Sequence, residues 1–293
     1  MTLKEALDAG KFVVTAEIGP PKGTDIAEMI HHIDLLKGKI DAANITDNQS
    51  AVMRINSMSV CRLALEKGLE PILQMTCRDR NRIGLQSDLL GASILGIHNV
   101  LCMTGDHVSA GDHKEAKPVY DIESVQLLRI VDALNHGRDM MGNELKGATR
   151  FFQGAVVTPE ANPVDPQLMK FEKKINAGAN FFQTQAIYDI EKFKEFMAFA
   201  RKFPIKVLAG FVVLKSAGMA NFLNKFVPGI TVPQLLIDEL KAAGKENALD
   251  AGLNITARHI RQLKDGKICD GVHIMAIGME DKVPTIMELA GLL

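Results

Sequence analysis

The feature that most constrains the fold is a regular alternation of short apolar runs with longer amphipathic ones. Strand-like runs begin at Phe12 ("FVVTAEI"), Ala42 ("AANITD"), Glu70 ("EPILQMTC") and His98 ("HNVLCMTG"). Four more begin at Phe151 ("FFQGAVVTP"), Ala179 ("ANFFQTQAI"), Ile205 ("IKVLAGFVV") and Gly271 ("GVHIMAIG"). Between them lie helical stretches such as "DIAEMIHHIDLLKG" and "NSMSVCRLALEKG", several closed by a glycine where a helix C-cap belongs. Strands that read as continuous apolar runs, each followed by a helix, are the pattern of a parallel sheet covered by helices. Eight such units in 293 residues predict a (β/α)8 barrel, as one domain over 1–293. An open dinucleotide-binding sheet would carry G-x-G-x-x-G after its first strand, and here that turn is "EIGPPKG".

Three segments depart from the short βα repeat. The start, "MTLKEALDAG", reads as a short capped helix. "DHVSAGDHKEAKPVYDIE", after the fourth strand, reads as a loop over the catalytic face. The stretch from Ser216 to Lys267, after the seventh, holds two or three extra helices.

Composition narrows the function. With 47% hydrophobic and 24% charged residues the chain can bury a large core, and a net charge of -1 gives no footprint for binding a phosphate backbone. Nucleic acid is therefore not an expected partner. The 4 cysteines are scattered without a C-x-x-C pair, which argues against a disulfide framework, a metal site or an iron–sulfur cluster held by this chain. No apolar run is long enough to cross a bilayer, so a cytoplasmic, membrane-free protein is expected.

In such a barrel the site is built at the C-terminal ends of the strands. The residues there are Glu17, Thr46 with Asp47, Thr76 with Cys77, Gly105 with Asp106, Thr158 with Glu160, Gln185, Leu214 with Lys215, and Met279 with Glu280. Helix caps and loop hydrogen bonds account for Asp47, Asn48 and Ser216. Glu17 is different, because Glu is a poor N-cap and Pro20 and Pro21 remove two backbone donors from the turn after it. A carboxyl group among apolar neighbours has its ionised form disfavoured, which would raise its pKa toward the range of a general acid at neutral pH.

"MTGD" puts a glycine and a second carboxylate, Asp106, at the end of strand four. Gln183 and Gln185 fall on one side of strand six by the period-two rule; they read either as ligands of a heterocycle or as satisfied core amides. "KFEKK", Lys170 to Lys174, reads as a solvated helix face from which a lysine can reach an anionic ligand. His31 and His32 read as structural or surface residues, and His107 and His113 as solvated loop histidines.

Taken together, "TAEIGPPKG", "LQMTC", "LCMTGDH", "VVTPEANP", "KKINAGANFFQTQAIYD", "LAGFVVLKSAGMANF" and "GVHIMAIG" resemble, in order and spacing, the methylenetetrahydrofolate reductases, from about Phe12 to the C-terminus. The resemblance implies a non-covalent flavin at the C-terminal face and reduction of 5,10-methylenetetrahydrofolate to 5-methyltetrahydrofolate. It implies that Glu17 is the acid that opens the imidazolidine ring and that Asp106 stabilises the developing cation. Gln185, with Gln183, Thr46 and Leu214, would meet the folate. Thr46, Gln74, Thr76, Thr104, Gly105, Asp106, Thr158, Glu160, Asn162 and Lys174 would meet the flavin.

Departures from the family pattern are Gln74 for His, Thr104 for Arg, Thr158 and Asn162 for an aromatic and a His, and Leu214 or Ala217 in place of a substrate-stacking aromatic. These leave FAD and FMN both open. Electrons would come from NAD(P)H or an iron–sulfur partner subunit, within a homo- or hetero-oligomer. The alternative is a flavin-free folate-binding barrel, acting as a methyltransferase or a scaffold subunit.

Overall fold

The computed structural model describes residues 1–293. Eight parallel strands close into a barrel in sequential order: β1 (Val13–Ile18), β2 (Ala42–Ile45), β3 (Pro71–Thr76), β4 (Asn99–Met103), β5 (Phe152–Val157), β6 (Phe181–Ala186), β7 (Lys206–Val212) and β8 (Gly271–Met275). Every strand-like run of the sequence contains one of them. The ring is sealed where β1 pairs β8, with Val13 opposite Gly271 and Thr15 opposite His273.

Helices α1 (Leu3–Asp8), α2 (Ala27–Leu36), α3 (Ser57–Lys67), α4 (Arg82–Ile94), α5 (Ser124–Asn135), α6 (Asp165–Asn176) and α7 (Ile190–Ala200) accompany the first six strands. Between β7 and β8 come three helices, α8 (Ala217–Phe226), α9 (Gln234–Ala242) and α10 (Gly244–Asp265), and α11 (Val283–Leu289) ends the chain. The outer layer forms because each helix turns an apolar stripe toward strands that are themselves apolar on that side, giving one core of 59 buried residues.

Inside the barrel, alternate residues point to the axis, and their character changes along the strand. At the N-terminal end, Val13, Ala42, Ile72, Leu101, Phe181 and Leu208 form an apolar cluster. Helix α1 plugs it with Leu3, Ala6 and Leu7, and a capping box between Thr2 and Glu5 starts that helix. The Phe181 ring occupies the place of a side chain at Gly154, where a Cβ would lie 2.3 Å from it. Two residues further along, the same inward rows become polar: Thr15 on β1, Asn44 on β2, Gln74 on β3, Gln183 on β6 and His273 on β8 are all buried. The bottom of the barrel is thus core and its upper half a polar chamber.

One buried group in the outer layer makes stability depend on pH. His259 of α10 stacks on Phe211 of β7, with ring centroids 6.1 Å apart. Burial, with Arg258 beside it, holds the imidazole down at about 4, against an ordinary value of 6.5. The unfolded chain therefore binds the proton more tightly, and stability present above pH 6.5 is lost as pH falls toward 4. By pH 5 the expected loss is about 2 kcal/mol, from a difference of roughly 2.5 pKa units. His259→Phe should remove this component; urea titrations of both proteins at neutral pH and pH 5 check it, and an unchanged acid sensitivity would contradict it.

Candidate active site

A cavity of about 460 Å3 opens at the C-terminal face of the barrel, and its polar wall is made by the upper ends of the inward rows. From the first half of the barrel it receives Glu17, Gln74, Thr76, Thr104, Gly105 and Asp106. From the second half come Thr158, Lys174, Gln183 and Gln185.

Glu17 sits one residue before the end of β1, on the same inward row as Thr15. Its surroundings are polar, where the sequence suggested apolar neighbours. Gln74 Nε2 donates to Glu17 Oε1 at 3.1 Å, and His273 Nε2 lies 3.7 Å from the same oxygen. The carboxylate also lines a second cavity, of about 620 Å3, between the β1 turn, α2 and the loop after β8.

Asp106 is exposed, and its backbone rather than its side chain is held. Tyr120 Oη donates to the carbonyl of Asp106 at 2.8 Å, and the buried Arg78 reaches the same carbonyl at 3.4 Å while pairing with Asp79 at 2.7 Å. The preceding Gly105 has φ +89, and a Cβ there would lie 2.9 Å from Thr76 Cβ, so only glycine fits the turn without displacement. The result is a fixed loop that leaves the Asp106 carboxylate free of protein partners.

On β6 the alternation is interrupted by a bulge. Gln183 pairs with Leu208 and Ala186 with Gly210, so three steps on β6 face two on β7. The extra residue fits because Gly210 has no side chain: a Cβ there would lie 2.2 Å from the Thr184 carbonyl. Both glutamines still reach the cavity, but in different states. Gln183 is a satisfied core amide, exchanging hydrogen bonds of 2.7 and 2.9 Å with Asn44. Gln185 is half-buried; its carbonyl oxygen accepts from the Ala186 amide at 2.9 Å, and its NH2 group has no protein partner.

Lys174 is not on a solvated face. It is 8% exposed because α6 lays it over the end of β5, where Nζ donates to the Val156 carbonyl at 2.5 Å. Burial, with Lys170 nearby, pushes its ammonium down to about 8. An ammonium has three donors and this one has a single protein acceptor, so the chamber offers cationic N–H groups to an acceptor-rich ligand.

Four residues expected at the site lie elsewhere. Thr46 is 1% exposed and outside the cavity wall, its hydroxyl buried without a partner. Leu214 is fully buried in an apolar cluster with Leu223 and Leu236, under the inserted helices, and is not part of the cavity wall. Glu160 and Asn162 face a separate cavity between α6 and α7. The Glu160 carboxylate accepts from the Tyr188 and Asp189 amides at 3.4 Å each, and burial pushes its pKa up.

Asp47 and Ser216 have local work: Asp47 binds the amide and hydroxyl of Thr76 at 2.8 and 2.9 Å, and Ser216 caps α8. Residues the sequence reading did not single out are Thr15, Asn44, His273 and Arg78. The first three continue the inward rows, so counting back by two from Glu17 and from Met275 finds Thr15 and His273.

Residues 2–291 match the family model described as methylenetetrahydrofolate reductase. The chain belongs to the methylenetetrahydrofolate reductase family.

A probable methylenetetrahydrofolate reductase (NADPH) of Caenorhabditis elegans is 24% identical over 77% of this family member and 33% of its own length. Methylenetetrahydrofolate reductase 2 of Schizosaccharomyces pombe is 27% identical over 75% of this chain and 36% of its own. 5,10-methylenetetrahydrofolate reductase of Pectobacterium carotovorum subsp. carotovorum is 26% identical over 64% and 58%. The chain thus spans about a third of the two eukaryotic reductases it matches.

Among solved structures, an uncharacterized protein from Clostridium thermocellum that binds two copies of 5-methyl-5,6,7,8-tetrahydrofolic acid superposes with a TM-score of 0.65 at 17% identity, over 98% of this chain and 97% of its own. EDTA monooxygenase of Chelativorans sp. BNC1 superposes at 0.60 with 10% identity, over 95% and 92%. At such identities the likeness speaks for the barrel fold that this reductase family member shares with them.

Proposed function

We propose that this chain reduces 5,10-methylenetetrahydrofolate to 5-methyltetrahydrofolate, using a non-covalent flavin seated in the main cavity. The observation that carries the reading is the convergence of two carboxylates with different settings, Glu17 recessed and Asp106 free at the mouth, on one polar chamber. Family membership and the folate bound by the Clostridium thermocellum protein support it.

The residues fit a flavin. The buried Lys174 ammonium, with one protein acceptor, suits an anionic or carbonyl edge, and the hydroxyls of Thr76, Thr104 and Thr158 suit the ring and side chain. The hydride comes from the reduced flavin when that cofactor is bound.

Glu17 gives its proton to the ring nitrogen of the substrate as the C–N bond to the methylene carbon opens. The Asp106 carboxylate then faces the cationic carbon–nitrogen unit that results and lowers its energy. The unpaired NH2 of Gln185 holds the pterin edge, and the rigid Gly105 turn keeps Asp106 at a fixed height over the chamber. Proton to nitrogen and hydride to carbon leave the methyl product.

Electrons reach the flavin from NAD(P)H or from an iron–sulfur partner subunit. The test is a visible spectrum of the purified protein, followed by anaerobic mixing of chemically reduced, flavin-loaded protein with methylenetetrahydrofolate. Reoxidation within the turnover time is expected. A colourless protein that releases no flavin on denaturation, or a flavin that stays reduced, would overturn the reading. If NADH and NADPH both fail to bleach the flavin, the donor is the partner subunit.

A further inference from the structure

We propose that His273 is a positioning residue for the Glu17 carboxylate, delivering an N–H to Glu17 Oε1 as the last member of a hydrogen-bonded row that crosses the barrel from β2 and β6 to β8 and β1. The inference rests on the reading of Glu17 as the acid.

The row begins with the reciprocal amide pair of Asn44 and Gln183, in which Asn44 Nδ2 donates to Gln183 Oε1 at 2.7 Å and Gln183 Nε2 donates back to Asn44 Oδ1 at 2.9 Å. The second hydrogen of Gln183 Nε2 is directed to Thr15 Oγ1, at 3.2 Å. Thr15 accepts there and so has its own hydrogen to give. His273 Nδ1 is its nearer acceptor, at 3.0 Å, against 3.3 Å for the Val272 carbonyl. A neutral imidazole that accepts at Nδ1 carries its proton on Nε2. That nitrogen is the one facing Glu17, 3.7 Å from Oε1.

The whole row is buried: Thr15, Asn44, Gln183 and His273 are each at most 3% exposed. A polar network in such a place holds one orientation when all its members are satisfied. Glu17 Oε1 already accepts from Gln74 Nε2 at 3.1 Å and has His273 Nε2 3.7 Å away, so both face the same oxygen and leave Oε2 for the substrate. At 3.7 Å this contact is longer than a hydrogen bond, and catalytic hydrogen bonds commonly tighten only in the substrate complex. Once Glu17 has given its proton, the N–H of His273 stabilises the carboxylate that remains. The imidazole thereby favours the charged state at the moment it forms.

The test uses flavin-loaded protein reduced chemically and mixed with methylenetetrahydrofolate, so the identity of the natural donor does not enter. His273→Leu should slow flavin reoxidation at least about 10-fold and move the alkaline limb of its pH profile upward by about one unit, because the ionised acid has lost a donor. His273→Gln, whose Nε2 can take the place of the imidazole N–H, should restore most of the rate and return the limb to its wild-type position. In the Glu17→Gln background the His273→Leu change should cost less than about 2-fold, as expected when two residues act through one step.

A full 10-fold cost in that background would overturn the proposal, as would equal slowing by Leu and Gln with the limb unmoved, which marks a purely structural role. If Glu17→Gln itself leaves reoxidation unchanged, the acid reading fails and the inference with it. If Glu17→Gln is inactive and His273→Leu is not, only the inference fails.

Discussion

Glu17→Gln is expected to lower the rate of flavin reoxidation by methylenetetrahydrofolate by at least about 100-fold, within the range attributed to a positioned general acid. The substitution is nearly isosteric, and the new amide oxygen can still accept from Gln74 Nε2, now 3.1 Å from Glu17 Oε1. What it removes is the proton. Reduction of the flavin by a donor needs no proton from this residue, so that half-reaction should stay within about twofold of wild type. Stopped-flow measurement of the two half-reactions separates these outcomes. Equal loss of both would mean that Glu17 builds the chamber and does not act on the substrate.

Asp47→Ala should destabilise the fold by about 3 kcal/mol, the low end of the cost of breaking a buried, hydrogen-bonded ion pair. Asp47 is 5% exposed and holds three groups together: it accepts from the Thr76 amide and hydroxyl at 2.8 and 2.9 Å and pairs with the Arg80 guanidinium. Arg80 in turn reaches Asp88 at 3.3 Å. Removing the carboxylate leaves a buried amide, a hydroxyl and part of a cation without acceptors. Asp47→Asn keeps one acceptor oxygen and should lose less. Urea denaturation of the two variants gives the ordering, and a loss below about 1 kcal/mol for the alanine variant would show that water replaces the carboxylate at no great cost.

Much of this was legible because two periodicities are written plainly in the chain. The apolar runs marked every strand, their ends put Glu17 and Thr76 at the rim, and period two set Gln183 and Gln185 on one side of β6; all four line the cavity. The middle of each row was harder to see. His273 in "GVHIM" and Asn44 in "AANI" are single polar residues inside apolar strings, and a strand buried on both faces gives no contrast to show which side they take.

Loop geometry was harder still. Glu160 follows β5 by only a few residues, yet the chain turns so that its carboxylate meets the backbone at the start of α7. Leu214 follows β7, but the three inserted helices fold over it, and their packing depends on contacts far away in sequence. Lys174 belongs to a lysine-rich helix whose charged appearance hides one position turned inward over β5.

The pairing of Thr15 with His273 joins the first strand of the barrel to the last. Glu17 therefore acquires its imidazole neighbour only where β8 pairs with β1 to seal the ring. A chain that has made only the first seven strands lacks this neighbour and has Gln74 alone beside the carboxylate. Loosening of the β1–β8 seam in the finished protein would cost Glu17 the same neighbour, so the setting of the acid depends on pairing between the two ends of the chain.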